Sequence, residues 1–163
     1  MKKMPFIVVL FLSLVLSALN VNAGDQFPIG PDARMTPGDV CKNSPVRRYA
    51  ERIVYCNRDV DPSLKADIIR EYDRELGYQI QSMSRGDFKI DHFIPLSIGG
   101  SNERENLWPQ HRSIYEQTDA LEGMLSEKIS QGRIKQEEAI RVVREAKTNL
   151  GRVVELMHYV GSL

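Results

Sequence analysis

The chain is poor in cysteine, tryptophan and histidine, with two, one and three among its 163 residues. Two cysteines, Cys41 and Cys56, with no C-x-x-C spacing and no histidine nearby, argue against a metal-binding pair. In an oxidising compartment they form one disulfide, whose loop of about 15 residues stabilises a fold by roughly 3 kcal/mol in the chain-entropy model. Excess charge is also lacking, since 22 basic residues balance 22 acidic ones. That excludes a protein that coats nucleic acid by bulk electrostatics, though not one that touches a few phosphates locally. Internal repeats and low-complexity tracts are absent as well.

The long apolar run, residues 6–19, is too short for a membrane span, which needs ~20 residues. Lys2 and Lys3 precede it and Val21-Asn22-Ala23 follows it, the order of a secretory signal with cleavage near Ala23. The alternative is an uncleaved anchor. The expectation is therefore an exported protein, periplasmic or extracellular, with no stable membrane insertion after cleavage. Removing residues 1–23 leaves 140 residues, enough for one globular domain over 24–163, and a net charge near −2.

Residues 24–57 read as a loop or arm rich in proline and glycine, holding the cysteine pair and a basic group, Arg47, Arg48 and Arg52. That group is either a phosphate-contacting patch or a solvated face. Residues 58–163 hold the rest of the domain. Asp61-Pro62 starts a helix that runs to about 76 before Gly77. A second helix is expected over 112–130 with Gly132 as its stop. A third starts near Gln136 and continues to about Tyr159, with Gly151 as a candidate break. Arg141, Arg144 and Lys147 recur at i, i+3, i+6 as a basic stripe, read as a solvated helix face or a nucleic-acid contact.

Between the first two helices lies the chemistry. Asp91-His92 sits in an apolar, strand-like run, Gly99-Gly100 reverses the chain, and Asn106 returns beside Trp108. An aspartate offers a hard oxygen ligand, and a histidine near neutral pKa can take a proton from water. A base with a divalent metal is what phosphodiester hydrolysis requires. Asn106 can tie the loop through backbone hydrogen bonds and hold the histidine carbonyl or ring. Trp108 is expected as a core anchor, and His158 carries no evident role.

The run Asp91-His92-Phe93-Ile94-Pro95-Leu96 … Gly99-Gly100 … Asn106-Leu107-Trp108-Pro109 resembles the signature of HNH endonucleases, whose fold is the ββα-metal hairpin. It is most similar to small exported bacterial proteins with a D-H-x-I-P-L-x-x-G-G … N-L-W-P motif, and the resemblance covers roughly 37–148. It implies an α+β, mostly helical fold with a hairpin-helix core. It also implies a metal-dependent endonuclease hydrolysing DNA, with RNA as the alternative substrate. His92 would be the general base, Asp91 a metal ligand and Asn106 the central asparagine. The cofactor would be one divalent ion, Mg²⁺ before Mn²⁺ or Zn²⁺. The family's third position falls on Tyr115, a poor ligand, so His111 or Glu116 is expected to complete the site, with Asp119 and Glu122 further along the helix. The rival expectation is a catalytically silent ββα domain with a binding or structural role at the cell envelope. A monomer is assumed.

Overall fold

A computed structural model describes residues 26–163. The expected signal segment lies outside the described residues. Within them the chain is α+β and mostly helical, with two small antiparallel sheets and four α-helices.

The first described stretch is an extended arm that lies along the loop carrying the two glycines. Gly38 N–H donates to the Glu105 carbonyl (2.8 Å), and Cys41 N–H to that of Gly99 (2.8 Å). Thr36 Oγ1 reaches the Leu107 carbonyl at 2.9 Å. After the arm comes a hairpin not foreseen from sequence: β1 (Arg47–Arg48) pairs antiparallel with β2 (Ile53–Val54). Its turn holds Tyr49 at φ 62° and Arg52 at φ 56°, left-handed conformations costing roughly 1–2 kcal/mol each in non-glycine residues. The Cys41–Cys56 disulfide closes this hairpin at its base, as expected.

Helix α1 (Pro62–Leu76) follows its sequence signals closely. Asp61 accepts the Ser63 N–H at its start, and Gly77 ends it at φ 78°. It buries Ile68, Ile69 and Tyr72 against the second hairpin, β3 (Phe88–His92) and β4 (Leu107–His111). The register of that hairpin sets Phe88 opposite His111 and Asp91 opposite Trp108. Helix α2 (Arg112–Ser130) leaves β4 without a connecting loop. Helices α3 (Gln136–Thr148) and α4 (Val153–Ser162) pack against α2 around Leu121, Leu125, Val142, Val143 and Leu156. The helix expected to run past Gly151 breaks earlier, because Asn149 leaves helical geometry (φ −144°, ψ 86°). A single 3₁₀ turn, Leu150–Arg152, then restarts it as α4.

Two apolar clusters result. One joins α1, the β3–β4 hairpin, Trp108 and Ile114, and the other joins α2, α3 and α4 with Ile94 and Ile98 from the loop. The charged site lies where β3, α2 and α3 meet.

Candidate functional site

The loop between β3 and β4 is what the glycines and Asn106 shape. A Cβ on Gly100 would sit 1.8 Å from the Ile94 carbonyl oxygen, so only glycine fits there. Gly99 adopts φ 92° and donates its N–H to the Leu96 carbonyl. Asn106, fully buried, accepts the Ile94 N–H at 2.8 Å and donates to the carbonyls of Ile94 and Ser101, both at 2.9 Å. It therefore ties the loop as expected, but it holds neither the carbonyl nor the ring of His92. Trp108 is wholly buried and anchors the core between α1 and α2.

His92, 2% exposed, ends β3. Its Nε2 lies 3.0 Å from Asn102 Oδ1, and Asn102 in turn donates from Nδ2 to the Asn57 carbonyl at 2.7 Å. Its Nδ1 is buried without a hydrogen-bond partner. Burial lowers the His92 pKa from the ordinary 6.5, and the nearby charges of Arg58 and Lys147 act in the same direction. The imidazole is thus neutral at physiological pH.

Asp91 stands at the centre of the charged group. The partner of its carboxylate is not one that sequence reasoning had paired with it. Lys147, fully buried on α3, places Nζ 2.9 Å from Asp91 Oδ2, 2.7 Å from Glu122 Oε1 and 2.7 Å from the His92 carbonyl oxygen. The contact with Glu122 is close but poorly aligned, for Oε1 has no directed hydrogen bond. It acts as an ion pair. Lys89 stands 3.7 Å from Asp91 Oδ1 and bonds to Asp119 on α2 at 2.9 Å.

Burial alone would raise the Asp91 pKa, but the charges of Lys147 and Lys89 outweigh it and hold the carboxyl below its ordinary 3.8. Burial likewise works against a charged Lys147, yet Asp91 and Glu122 together keep it protonated, with its pKa raised. Glu122 goes the other way. Its burial prevails over the same lysine, so its pKa rises above 4.5, and it is the carboxyl of the pair that protonates first on acidification.

The two helix-end ligands expected for a metal do not face Asp91. His111 caps α2, where Nδ1 accepts the Ser113 N–H and lies 2.8 Å from the Ser113 hydroxyl. Its ring stacks on Phe27 with centroids 4.0 Å apart. In the register it is three rungs from Asp91, about 10 Å along the strand, and strand alternation sends the two side chains to opposite faces. Glu116 is 60% exposed and lies 3.6 Å from Arg112. Tyr115 lies under the Lys89 ammonium at 4.5 Å.

Among the described residues, no three histidine, cysteine, aspartate or glutamate side chains converge to hold a metal ion. The Asp91 carboxylate already holds an ammonium on Oδ2, with a second ammonium 3.7 Å from Oδ1, and both would repel a divalent ion beside it. The residues present do not fit the cofactor expected from the resemblance.

Lys147 is the residue that sequence reasoning misjudged. The stripe of Arg141, Arg144 and Lys147 is not one solvated face. Arg141 pairs with Glu138 and Glu145 at the surface, and Arg144 reaches the Pro37 and Gly38 carbonyls over the Phe93 ring. Lys147 points inward. The signal was available, because Lys147 follows Val143 by four and Ala146 by one, on the edge of the helix's apolar stripe. Comparison with known proteins finds no matching family model, no curated relative and no matching solved structure.

Proposed function

We propose that the chain is a noncatalytic ββα domain of the HNH type that works outside the cytoplasm and binds nucleic acid by its phosphate backbone without cutting it. The observation that carries this reading is Lys147 Nζ, which lies 2.7–2.9 Å from three oxygens of the Asp91–Glu122 cluster. A buried, fully paired ammonium cannot leave without stranding two carboxylates, at a cost of about 3–5 kcal/mol. The disulfide and the signal-like residues 1–23 support export.

A binding surface is supplied by the β1–β2 hairpin and the segment that follows it. Among the described residues, Arg47, Arg48, Arg52 and Arg58 form no ion pair with any carboxylate, whereas Arg34, Arg70, Arg74, Arg104, Arg112, Arg141 and Arg152 each do. Arg85, Arg133 and Arg144 also form none and bond backbone oxygens instead. The Arg48 guanidinium lies 3.4 Å over the Tyr55 ring, a flat cationic platform. The hairpin is held rigidly. Tyr49 Oη donates to the Ser97 carbonyl at 2.8 Å, and Glu51 accepts the Gln136 N–H at 2.8 Å. Three unneutralised guanidiniums on a stiff, strained hairpin, with Arg58 in the segment that follows it, suit a repeating row of phosphates better than a solvated face does.

The test joins binding to cleavage. Fluorescence anisotropy with labelled DNA and RNA strands should show salt-dependent binding. Replacing the four arginines by glutamine should flatten the salt slope by up to about 3–4, near 0.9 per lost phosphate contact. Plasmid should stay intact in Mg²⁺, Mn²⁺ or Zn²⁺. Metal-dependent nicking that disappears in His92→Ala would sink this reading.

That outcome would establish the second reading, an exported endonuclease cutting DNA or RNA with His92 as general base. One observation favours it. The His92 ring is neutral, and because its Nε2–H donates to half-buried Asn102 Oδ1, its basic nitrogen is Nδ1, which has no hydrogen-bond partner and is free to take a proton.

A further inference from the structure

Lys147 does more than neutralise Asp91, because the atoms around its ammonium are the kind that hold metal ions. They are two carboxylates and one backbone carbonyl, all hard oxygens, supplied by two elements: Asp91 and the His92 carbonyl from β3, and Glu122 from α2. The cation itself comes from a third element, α3, at the end of a four-carbon stem. The cage therefore belongs to the hairpin and the helix that follows it, and Lys147 is its occupant.

We infer that Asp91, Glu122 and the His92 carbonyl form a cation cage whose resident ion is the Lys147 ammonium, and that removing this ammonium converts the cage into a divalent-cation site. This rests on the reading that the ammonium excludes a metal from the native protein. Charge favours the exchange, since two carboxylates against one ammonium leave a net −1, and a divalent ion balances them fully. Size favours Ca²⁺. The ammonium sits 2.7–2.9 Å from its oxygens, whereas Ca²⁺ takes oxygen ligands at about 2.3–2.6 Å and Mg²⁺ demands about 2.0–2.1 Å in a near-ideal octahedron. The cage must contract by only a few tenths of an ångström for Ca²⁺. Truncating the lysine side chain also frees volume beside these oxygens in which water can complete the ion's shell. Glu122, rather than His111 or Glu116, is the second side-chain ligand.

The experiment measures thermal unfolding of the wild type, Lys147→Ala and Asp91→Asn/Lys147→Ala, each with Ca²⁺, Mn²⁺ or chelator. Lys147→Ala should be stabilised by Ca²⁺ or Mn²⁺ in a concentration-dependent way. At an ion concentration a hundredfold above its Kd, the folding equilibrium constant should rise about 100-fold. Adding Asp91→Asn should remove most of that gain. The wild type should not respond.

Absence of any shift in Lys147→Ala overturns the inference and leaves the noncatalytic reading standing. An Asp91-dependent shift in the wild type overturns the noncatalytic reading, while the cage is still judged by the variant. Should Lys147→Ala be unfolded without ions, Ca²⁺ or Mn²⁺ must restore its fold. Failure to do so, with the neutral triple variant Asp91→Asn/Glu122→Gln/Lys147→Met folded, also overturns the inference.

Discussion

Lys147 and Arg52 both carry one positive charge near the β3–β4 hairpin, and their surroundings differ in every respect that matters. Lys147 is wholly buried with three oxygens around its ammonium. Arg52 and its neighbours on the β1–β2 hairpin are exposed and meet no carboxylate among the described residues. The difference teaches what burial does to a cation. In the interior, desolvation forces complete pairing, so the charge becomes structural and is removed from solution chemistry. At the surface, water solvates the charge cheaply, so it can stay unpaired and available to a partner.

The largest effect expected from this contrast is on Lys147. Lys147→Met should lose about 3–5 kcal/mol of stability by denaturant unfolding, because Asp91 and Glu122 are left charged and buried. Replacing all three charges by Asp91→Asn, Glu122→Gln and Lys147→Met should recover most of that loss. If the single and triple variants are equally unstable, packing and not charge governs the interior.

Asn106→Ala tests another buried polar group, one that holds the loop rather than a charge. It strips partners from the Ile94 N–H and from the Ile94 and Ser101 carbonyls, and at ~1 kcal/mol or more per stranded group a loss near 3 kcal/mol is expected. Slow amide exchange at Ile94 should disappear with it.

The His92 prediction turns on pH. Its folded pKa lies below the unfolded value of 6.5, so the folded state resists the proton that the unfolded state accepts. The corresponding stability is present above about pH 6.5 and is lost as pH falls from there through the folded value. His92→Gln should flatten that part of the pH–stability curve. Asp91 contributes in a separate, lower window. With its pKa below 3.8, its contribution is complete above that value and is lost only as pH falls through the folded one.

The smallest effect belongs to the exposed groups. Arg52→Gln and Glu116→Gln should each alter stability by no more than about 0.5 kcal/mol. Arg52→Gln should nonetheless weaken binding of a labelled oligonucleotide, and Glu116→Gln should not. A stability loss above 1 kcal/mol in Arg52→Gln would break the division between interior and exterior cations.

Much of this was legible in the chain itself. Asp61-Pro62 and Gly77 delimit α1 because capping and left-handed closure are local chemistry, decided within a few residues. Gly99-Gly100 and Asn106 announce a tied loop for the same reason. The β1–β2 hairpin was not legible. Its strands are two residues long, and its turn uses tyrosine and arginine where glycine or asparagine would have signalled a left-handed conformation.

The candidate site divides along the same line. That Asp91 and His92 stand together at a strand end, with Asn106 returning beside them, is a matter of sequence neighbours and a short loop. Which cation Asp91 meets is not. Lys147 is 56 residues away, on a helix whose rotation about its axis is set by packing Val142, Val143 and Ala146 against α2 and α4. The sequence by itself determined the β3–β4 hairpin, the caps of α1 and the disulfide, because each depends on residues close in the chain or on a lone cysteine pair. Only the tertiary structure decided that an ammonium stands where a metal was expected, and that His111 and Glu116 turn away, because long-range packing chooses which buried charges must neutralise one another.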